Sequence, residues 1–297
     1  MTIALILALL ALAAAALANG DLALLGAVAL MAAAAALHWR LASTPARRQA
    51  VTDITAAIAF PLLVWQLLSA NLKLADTILF PPPNTIIRLF FTELPDMASG
   101  LLSSLHLLGT AYLLALATAI PAGLAVGHSK RLQAAAGPFS RILGAIPPIV
   151  YIPYAIALLP SFDSASIFVI YSGAFWPIFA NTVSGVATIP DSLLDSARML
   201  HLPTFTLFRK VLLPGAMPAI LTGASLGLIL SFILLTAAEL IGATEGLGWY
   251  VKNFSDFADY ERVIVGIIFI GIVVTLLMAI LNLIERRLLR HRRHNHD

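Results

Sequence analysis

A chain of 297 residues with 60% hydrophobic residues, 11% charged residues and a mean hydropathy of +0.93 is not an ordinary soluble domain. Its apolar runs reach the ~20 residues that carry a helix across a bilayer and are too long and uniform for barrel strands, so an all-α, polytopic membrane protein is expected. The lack of cysteine excludes disulfides, thiolate zinc sites and iron–sulfur clusters, and a formal charge of +3 says less than the placement of the basic residues.

Eight apolar segments are predicted, at 2–18, 22–38, 53–70, 102–127, 140–160, 165–187, 216–240 and 262–284. In the first, Ala14, Ala16 and Ala18 have signal-cleavage spacing, but no Lys or Arg precedes them and a second apolar run follows at once. The expectation is an uncleaved hairpin turning at Asn19-Gly20. Residues 1–50 then form an accessory pair of spans packed against lipid, with a linker at Ser43-Thr44-Pro45. Residues 51–290 form the main bundle and 291–297 a basic tail. After the third span, Phe80-Pro81-Pro82-Pro83 is a rigid extended stretch, and Asn84 is the expected N-cap of an interfacial helix over 86–94.

A polar island at 190–214 separates two spans. Ser192 and Asp195 have capping-box spacing, which predicts a helix over 192–202 with Leu193, Ala197 and Leu200 on one face and Asp195, Arg198 and His201 around the other. Pro203 ends it near His201. A second helix starts at Thr204 with the stripe Phe205, Phe208 and Leu212. Arg209 and Lys210 are expected near its end, where the helix dipole favours cations, and Pro214 and Pro218 mark entry into the next span. At 241–261 a glycine-rich turn, Gly242 to Gly248, leads to Trp249, Tyr250, Phe254, Phe257 and Tyr260. These aromatics suit either a headgroup-level belt or a docking surface for an external protein.

Placing the amino terminus inside leaves only Lys73, Arg88, Lys252 and Arg262 of the 18 basic residues outside. Both termini and the island at 190–214 are therefore expected in the cytoplasm.

The segment Asp195-Ser-Ala-Arg-Met-Leu-His201, with Val211-Leu-Leu-Pro214 and Pro218 downstream, resembles the EAA-loop signature of permease subunits in binding-protein-dependent ABC importers. Leu79-Phe-Pro-Pro-Pro83, Ala145-Ile-Pro-Pro148, Phe175-Trp-Pro-Ile178 with Asn181-Thr182, and Ala238-Glu to Gly248 are similar to the nitrate/taurine/sulfonate class. The likeness covers roughly residues 53–290. It implies a type I importer permease fold of about eight membrane helices, two accessory and six core, in the bacterial cytoplasmic membrane. It further implies a coupling helix carrying Ser192, Asp195, Ser196, Ala197, Arg198, His201, Leu202 and Pro203 that inserts into an ATPase subunit. A second permease copy, as a homodimer, and a periplasmic or lipid-anchored binding protein are the other partners implied. Asp195 stands where the family has Glu, Ser196 where it has Ala, and His201 where it has a Gly that commonly supplies a left-handed helix end.

The chain has no P-loop, so ATP and Mg²⁺ are expected in the partner, with no cofactor, metal site, catalytic residue or nucleic-acid partner here. The class handles small anions and related solutes such as nitrate, sulfonates, taurine, bicarbonate and aromatic acids. Trp176, Asn181 and Glu239 are candidate passage residues, although Trp176 and Asn181 equally suit helix–helix hydrogen bonding around a Pro177 kink and Glu239 a helix-end contact. An ion-coupled secondary transporter would need a relay of buried ionisable groups, for which only His106 and Glu239 are candidates. A membrane-embedded enzyme would need a nucleophile–base set or paired metal ligands, and no such motif occurs. His291, His294 and His296 sit in the basic tail, where lipid headgroups or solvation explain them.

Overall fold

The computed structural model describes residues 3–42, 44–72, 74, 76 and 78–289; the tail at 291–297 lies outside them, as do Ser43 and Lys73. The described residues are helical, with no strand among them. In chain order the helices are α1 (Ile3–Ala18), α2 (Leu22–Leu41), α3 (Pro45–Gln66), α4 (Pro83–His128), α5 (Lys130–Ala145), α6 (Ile152–Leu158), α7 (Phe162–Ala187), α8 (Asp191–Met199), α9 (Thr204–Leu207), α10 (Leu213–Gly242), α11 (Leu247–Asp256) and α12 (Tyr260–Leu289). Six helical stretches among the described residues are long and apolar enough to cross a membrane: 22–41, 45–71, 83–128, 162–187, 204–242 and 260–288. Leu9–Ala18 and Pro148–Leu158 are shorter apolar helices.

The chain divides into two compact units. The first holds the residues up to Asp96 and Val251–Ile268. Here α1 and α2 form the expected hairpin: Gly20 takes a left-handed φ of +68°, and the Asp21 N–H donates to the Ala16 carbonyl at 3.0 Å. Leu12, Ala16, Leu24, Val28 and Ala59 pack into its apolar core. The hairpin is also tied by polar groups, because the Asp21 carboxylate accepts from Asn84 Nδ2 at 2.6 Å and Gln66 Nε2 at 3.4 Å. Thr44 caps α3, accepting from the Arg47 N–H, with Pro45 at the first helical position.

Two expectations for 80–127 need correction. A single 46-residue helix, α4, replaces the separate helices at 86–94 and 102–127, and it begins at Pro83, so Asn84 lies inside it rather than capping it. The polar stretch at Glu93-Leu94-Pro95-Asp96 reads as a break, but the Glu93 carboxylate is paired with Arg262 Nε at 2.9 Å, which keeps a charged residue compatible with a continuous helix.

The second unit holds Met97–Tyr250 and the chain from Phe269 on. At its centre α7 and α10 pack along their lengths, joined by the α4 residues of this unit. Small residues permit the close approach: a Cβ on Gly223 would lie 2.9 Å from the Pro177 carbonyl oxygen, and one on Gly185 would lie 2.7 Å from Ala219 Cβ. Such backbone-level contact is how membrane helices associate where lipid competes with any apolar side chain. The predicted span at 140–160 is not one helix. It divides at Ile146 and Pro147, both extended (φ −73°, ψ 114° and φ −64°, ψ 120°), into α5 and a 3₁₀ turn at Pro148–Tyr151 that runs into α6. Pro147 and Pro148 lack the N–H groups that a continuous ladder needs.

Candidate functional site

Two regions of the second unit collect the predicted residues. The first is the polar island. Helix α8 starts at Asp191, one residue before the predicted start, so Ser192 is not its cap. Pro190 occupies that position, and its carbonyl accepts the Leu193 N–H at 3.0 Å. The capping box is absent: Ser196 Oγ donates to the Ser192 carbonyl, and Asp195 pairs with Arg198 Nη1 at 2.8 Å on the exposed side. Both ions are largely exposed, so the pair adds well under ~1 kcal/mol to stability.

The end of α8 follows the residue type. The His201 N–H donates to the Arg198 carbonyl at 2.9 Å and the Leu202 N–H to the Ala197 carbonyl at 3.3 Å. This is a Schellman closure with His201 at the left-handed position, φ +46°. Histidine has kept the backbone that glycine would give. Pro203 then opens α9, and a π turn at Phe208–Leu212 joins α9 to α10 in one continuous helix. Arg209 and Lys210 therefore lie within a helix, not near an end as expected. In a regular α-helix the ring of Pro214 would clash with the Lys210 carbonyl, and the wider turn lies where that clash would fall.

The apolar face of α8 also departs from expectation. Ala197 is buried, and Leu194 joins Leu207, Phe208 and the buried Leu212 in one cluster. Leu193 and Leu200, expected with Ala197, instead project outward. With Met199 and Phe205 they are 54%, 71%, 82% and 74% exposed. A short polar loop thus presents four large apolar side chains on a well-braced frame.

The second region is a cavity of about 540 Å³ at the break between α5 and α6. Ser140, Gly144, Pro147, Ser172, Trp176 and Leu234 contribute to its wall. Irregular backbone at membrane depth persists only against protein or a water-filled space, and the Ile146-Pro147 break meets that condition here. Ser172 and the Tyr151 hydroxyl share a hydrogen bond of 2.6 Å, while Ser140 Oγ donates to the Ala136 carbonyl.

Of the three predicted passage residues, Trp176 lines this cavity. Asn181 donates to the Pro177 carbonyl at 2.8 Å, which answers an acceptor near the proline. Glu239 is buried among α4, α10 and the start of α11: Oε1 accepts from Ser104 Oγ at 2.5 Å and Oε2 from the Gly248 N–H at 2.6 Å. Its partners went unpredicted, although two glycines closely following an acid after a long apolar run do signal a backbone folded over a carboxylate. His106 is exposed. Among the described residues no group of three or more His, Cys, Asp or Glu could hold a metal ion.

Comparison with known proteins gives a consistent picture. Residues 115–290 match the family described as "Binding-protein-dependent transport system inner membrane component". The nitrate import permease protein NrtB of Leptolyngbya laminosa is 34% identical over 185 residues, 62% of this chain and 66% of that protein. The taurine transport system permease protein TauC of Escherichia coli (strain K12) is 30% identical over 259 residues, 85% of this chain and 92% of that protein. A chain of the MetNI methionine ABC transporter, solved in inward-facing conformations, shares the fold with a TM-score of 0.56 at 19% identity, covering 66% of this chain and 98% of that one.

Proposed function

Because the chain belongs to the binding-protein-dependent transport system inner membrane component family, and is thus a multi-pass bacterial inner-membrane permease, we propose that it is driven through alternating access by a separate ATPase. The ATPase would bind ATP and Mg²⁺ and grip the loop at 190–214. The observation that carries this reading is the exposed quartet Leu193, Met199, Leu200 and Phe205 on that loop. An apolar patch on a polar loop needs a partner, and a groove on a soluble subunit supplies one. Asp195, Arg198 and Ser196 flank the patch and would set its orientation. Ser192 and His201 to Pro203 shape the loop, and Ala197 anchors it inward.

The cavity at Trp176 is the proposed solute passage, facing a second permease copy, with a periplasmic or lipid-anchored binding protein delivering the solute. The relatives named for nitrate and taurine make a small anion or sulfonate the proposed substrate class. The decisive experiment is copurification from the native host. The wild-type chain should carry an ATPase subunit, and Met199→Asp with Phe205→Asp should lose it while keeping the same helical circular dichroism. Retention of the ATPase by that double variant would refute the role of the loop.

A further inference from the structure

Helix α2 has the length of a bilayer and an abrupt end. Residues Leu22 to Leu37 include no charged side chain, and the helix then finishes on His38, Trp39, Arg40 and Leu41. From Leu22 to Arg40 its axis rises about 27 Å, close to the ~30 Å of bilayer hydrocarbon. Trp39 and Arg40 therefore reach headgroup level, where such side chains are favoured.

Helix α3 starts after a short link. Thr44 caps it, Pro45 is its first residue, and the Arg48 N–H donates to the Thr44 carbonyl at 3.1 Å, so Arg47 and Arg48 sit in its opening turn. Cations there oppose the helix dipole, which favours an anion at that end. No side chain supplies one. Neither Asp nor Glu occurs between Asp21 and Asp53, and among the described residues the exposed Arg40, Arg47 and Arg48 share no ion pair.

Arg48 is nevertheless held in place. Its Nε donates to the Ala42 carbonyl at 3.2 Å, and its guanidinium carbon lies 4.8 Å from the centre of the Trp39 ring. These contacts fix the guanidinium and leave its Nη groups uncommitted among the described residues. An anion suited to this place lies at headgroup depth, accepts from a planar fork and balances three arginines and a helix N-terminus. The phosphate of a lipid with net negative charge meets each condition.

We propose that the connection between α2 and α3 is a binding site for the phosphate of an anionic phospholipid, with Arg48 donating through its Nη groups and Arg40 and Arg47 adding charge. The site anchors the accessory hairpin, which lies outside the family-matched residues 115–290, to one class of lipid. It requires that α2 cross the bilayer and is independent of any ATPase.

The test uses the purified, delipidated full-length chain, titrated with phosphatidylglycerol or phosphatidylcholine and read by native mass spectrometry. The wild-type chain should bind phosphatidylglycerol more tightly; equal binding of the two lipids overturns the site. Arg40→Ala with Arg48→Ala should weaken phosphatidylglycerol binding about tenfold or more, the size expected when two arginines leave an anionic surface, and leave phosphatidylcholine binding unchanged. Arg286→Ala with Arg287→Ala removes the same charge from the last turn of α12 and should keep most of the binding. Equal losses in the two double variants would mean that the lipid reads net charge alone, and the site falls. Arg48→Lys keeps the charge without the fork and should weaken binding severalfold; wild-type affinity in that variant overturns the role given to the Arg48 Nη groups. Displacement of phosphatidylglycerol by millimolar inorganic phosphate would assign the arginines to a free anion and overturn the lipid. Unchanged helical circular dichroism in each variant, as their exposed positions predict, shows that folding is not what is being measured.

Discussion

His201 shows how far a residue can be read from its type alone. The family signature has glycine at the position that ends α8, and the backbone at His201 is left-handed as glycine would allow, at a steric cost of ~1–2 kcal/mol. Replacing it with glycine removes that cost but loosens the unfolded chain by ~0.5–1 kcal/mol. His201→Gly is therefore expected to change stability by between ~0 and ~1.5 kcal/mol in its favour and to keep uptake, as measured by thermal melting in detergent and by transport in vesicles. A variant that melts as expected but no longer transports would show that the imidazole itself contacts the ATPase. The same device recurs at Ala258, whose φ of +56° ends α11 with its N–H on the Ser255 carbonyl. The Ser192–Asp195 spacing misled for a simple reason. A capping box is recognised by two residue types, and a helix starting one residue earlier, at Pro190-Asp191, turns the supposed cap into an ordinary interior position.

At the scale of elements, apolar length was a good guide and proline a poor one. Seven of the eight predicted runs are helical throughout or nearly so, because a bilayer leaves helix as the only open-chain solution for a long apolar segment. Pro214 was expected to mark entry into a span and does lie in the first turn of α10, but that helix is continuous with α9 through the π turn, and α4 runs through Pro95 without a break. By contrast Pro147 and Pro148, inside an unbroken apolar run, mark the real interruption. The difference lies in what surrounds each site: neighbouring helix or a widened turn absorbs a single proline, whereas two successive prolines delete adjacent donors. If the break shapes the passage, Pro147→Ala with Pro148→Ala should let α5 extend toward α6. Uptake is then expected to fall about tenfold or more while thermal stability holds or rises, since each interior proline disfavours helix by ~3 kcal/mol. Wild-type uptake by that variant would remove the break from the mechanism.

At the scale of the whole molecule, the loop at 190–214 and the cavity are two ends of the same helices. Trp176 lies eleven residues before the end of α7 at Ala187, about 16 Å along its axis, and α8 follows at once. The return path runs through the π turn into α10, which supplies Leu230, Ile233 and Leu234 to the cavity. The two helices approach at backbone distance at Gly185, Gly223 and Gly227, so under the proposed mechanism a displacement of the loop would be carried to the cavity rather than absorbed by side-chain slack between them. This predicts that the two ends can be disabled separately. Gly144→Phe should fill the cavity beside Trp176, the proposed passage. Gly144→Ala is the control, because its Cβ would sit 3.7 Å from Trp176 Cβ in ordinary contact. The phenylalanine variant is expected to keep its ATPase partner and basal ATP hydrolysis while uptake drops to background, the opposite pattern from loop variants that lose the partner itself. Measuring copurification, hydrolysis and uptake on the same preparations checks it. Loss of the ATPase in Gly144→Phe would mean that the cavity wall serves assembly rather than passage.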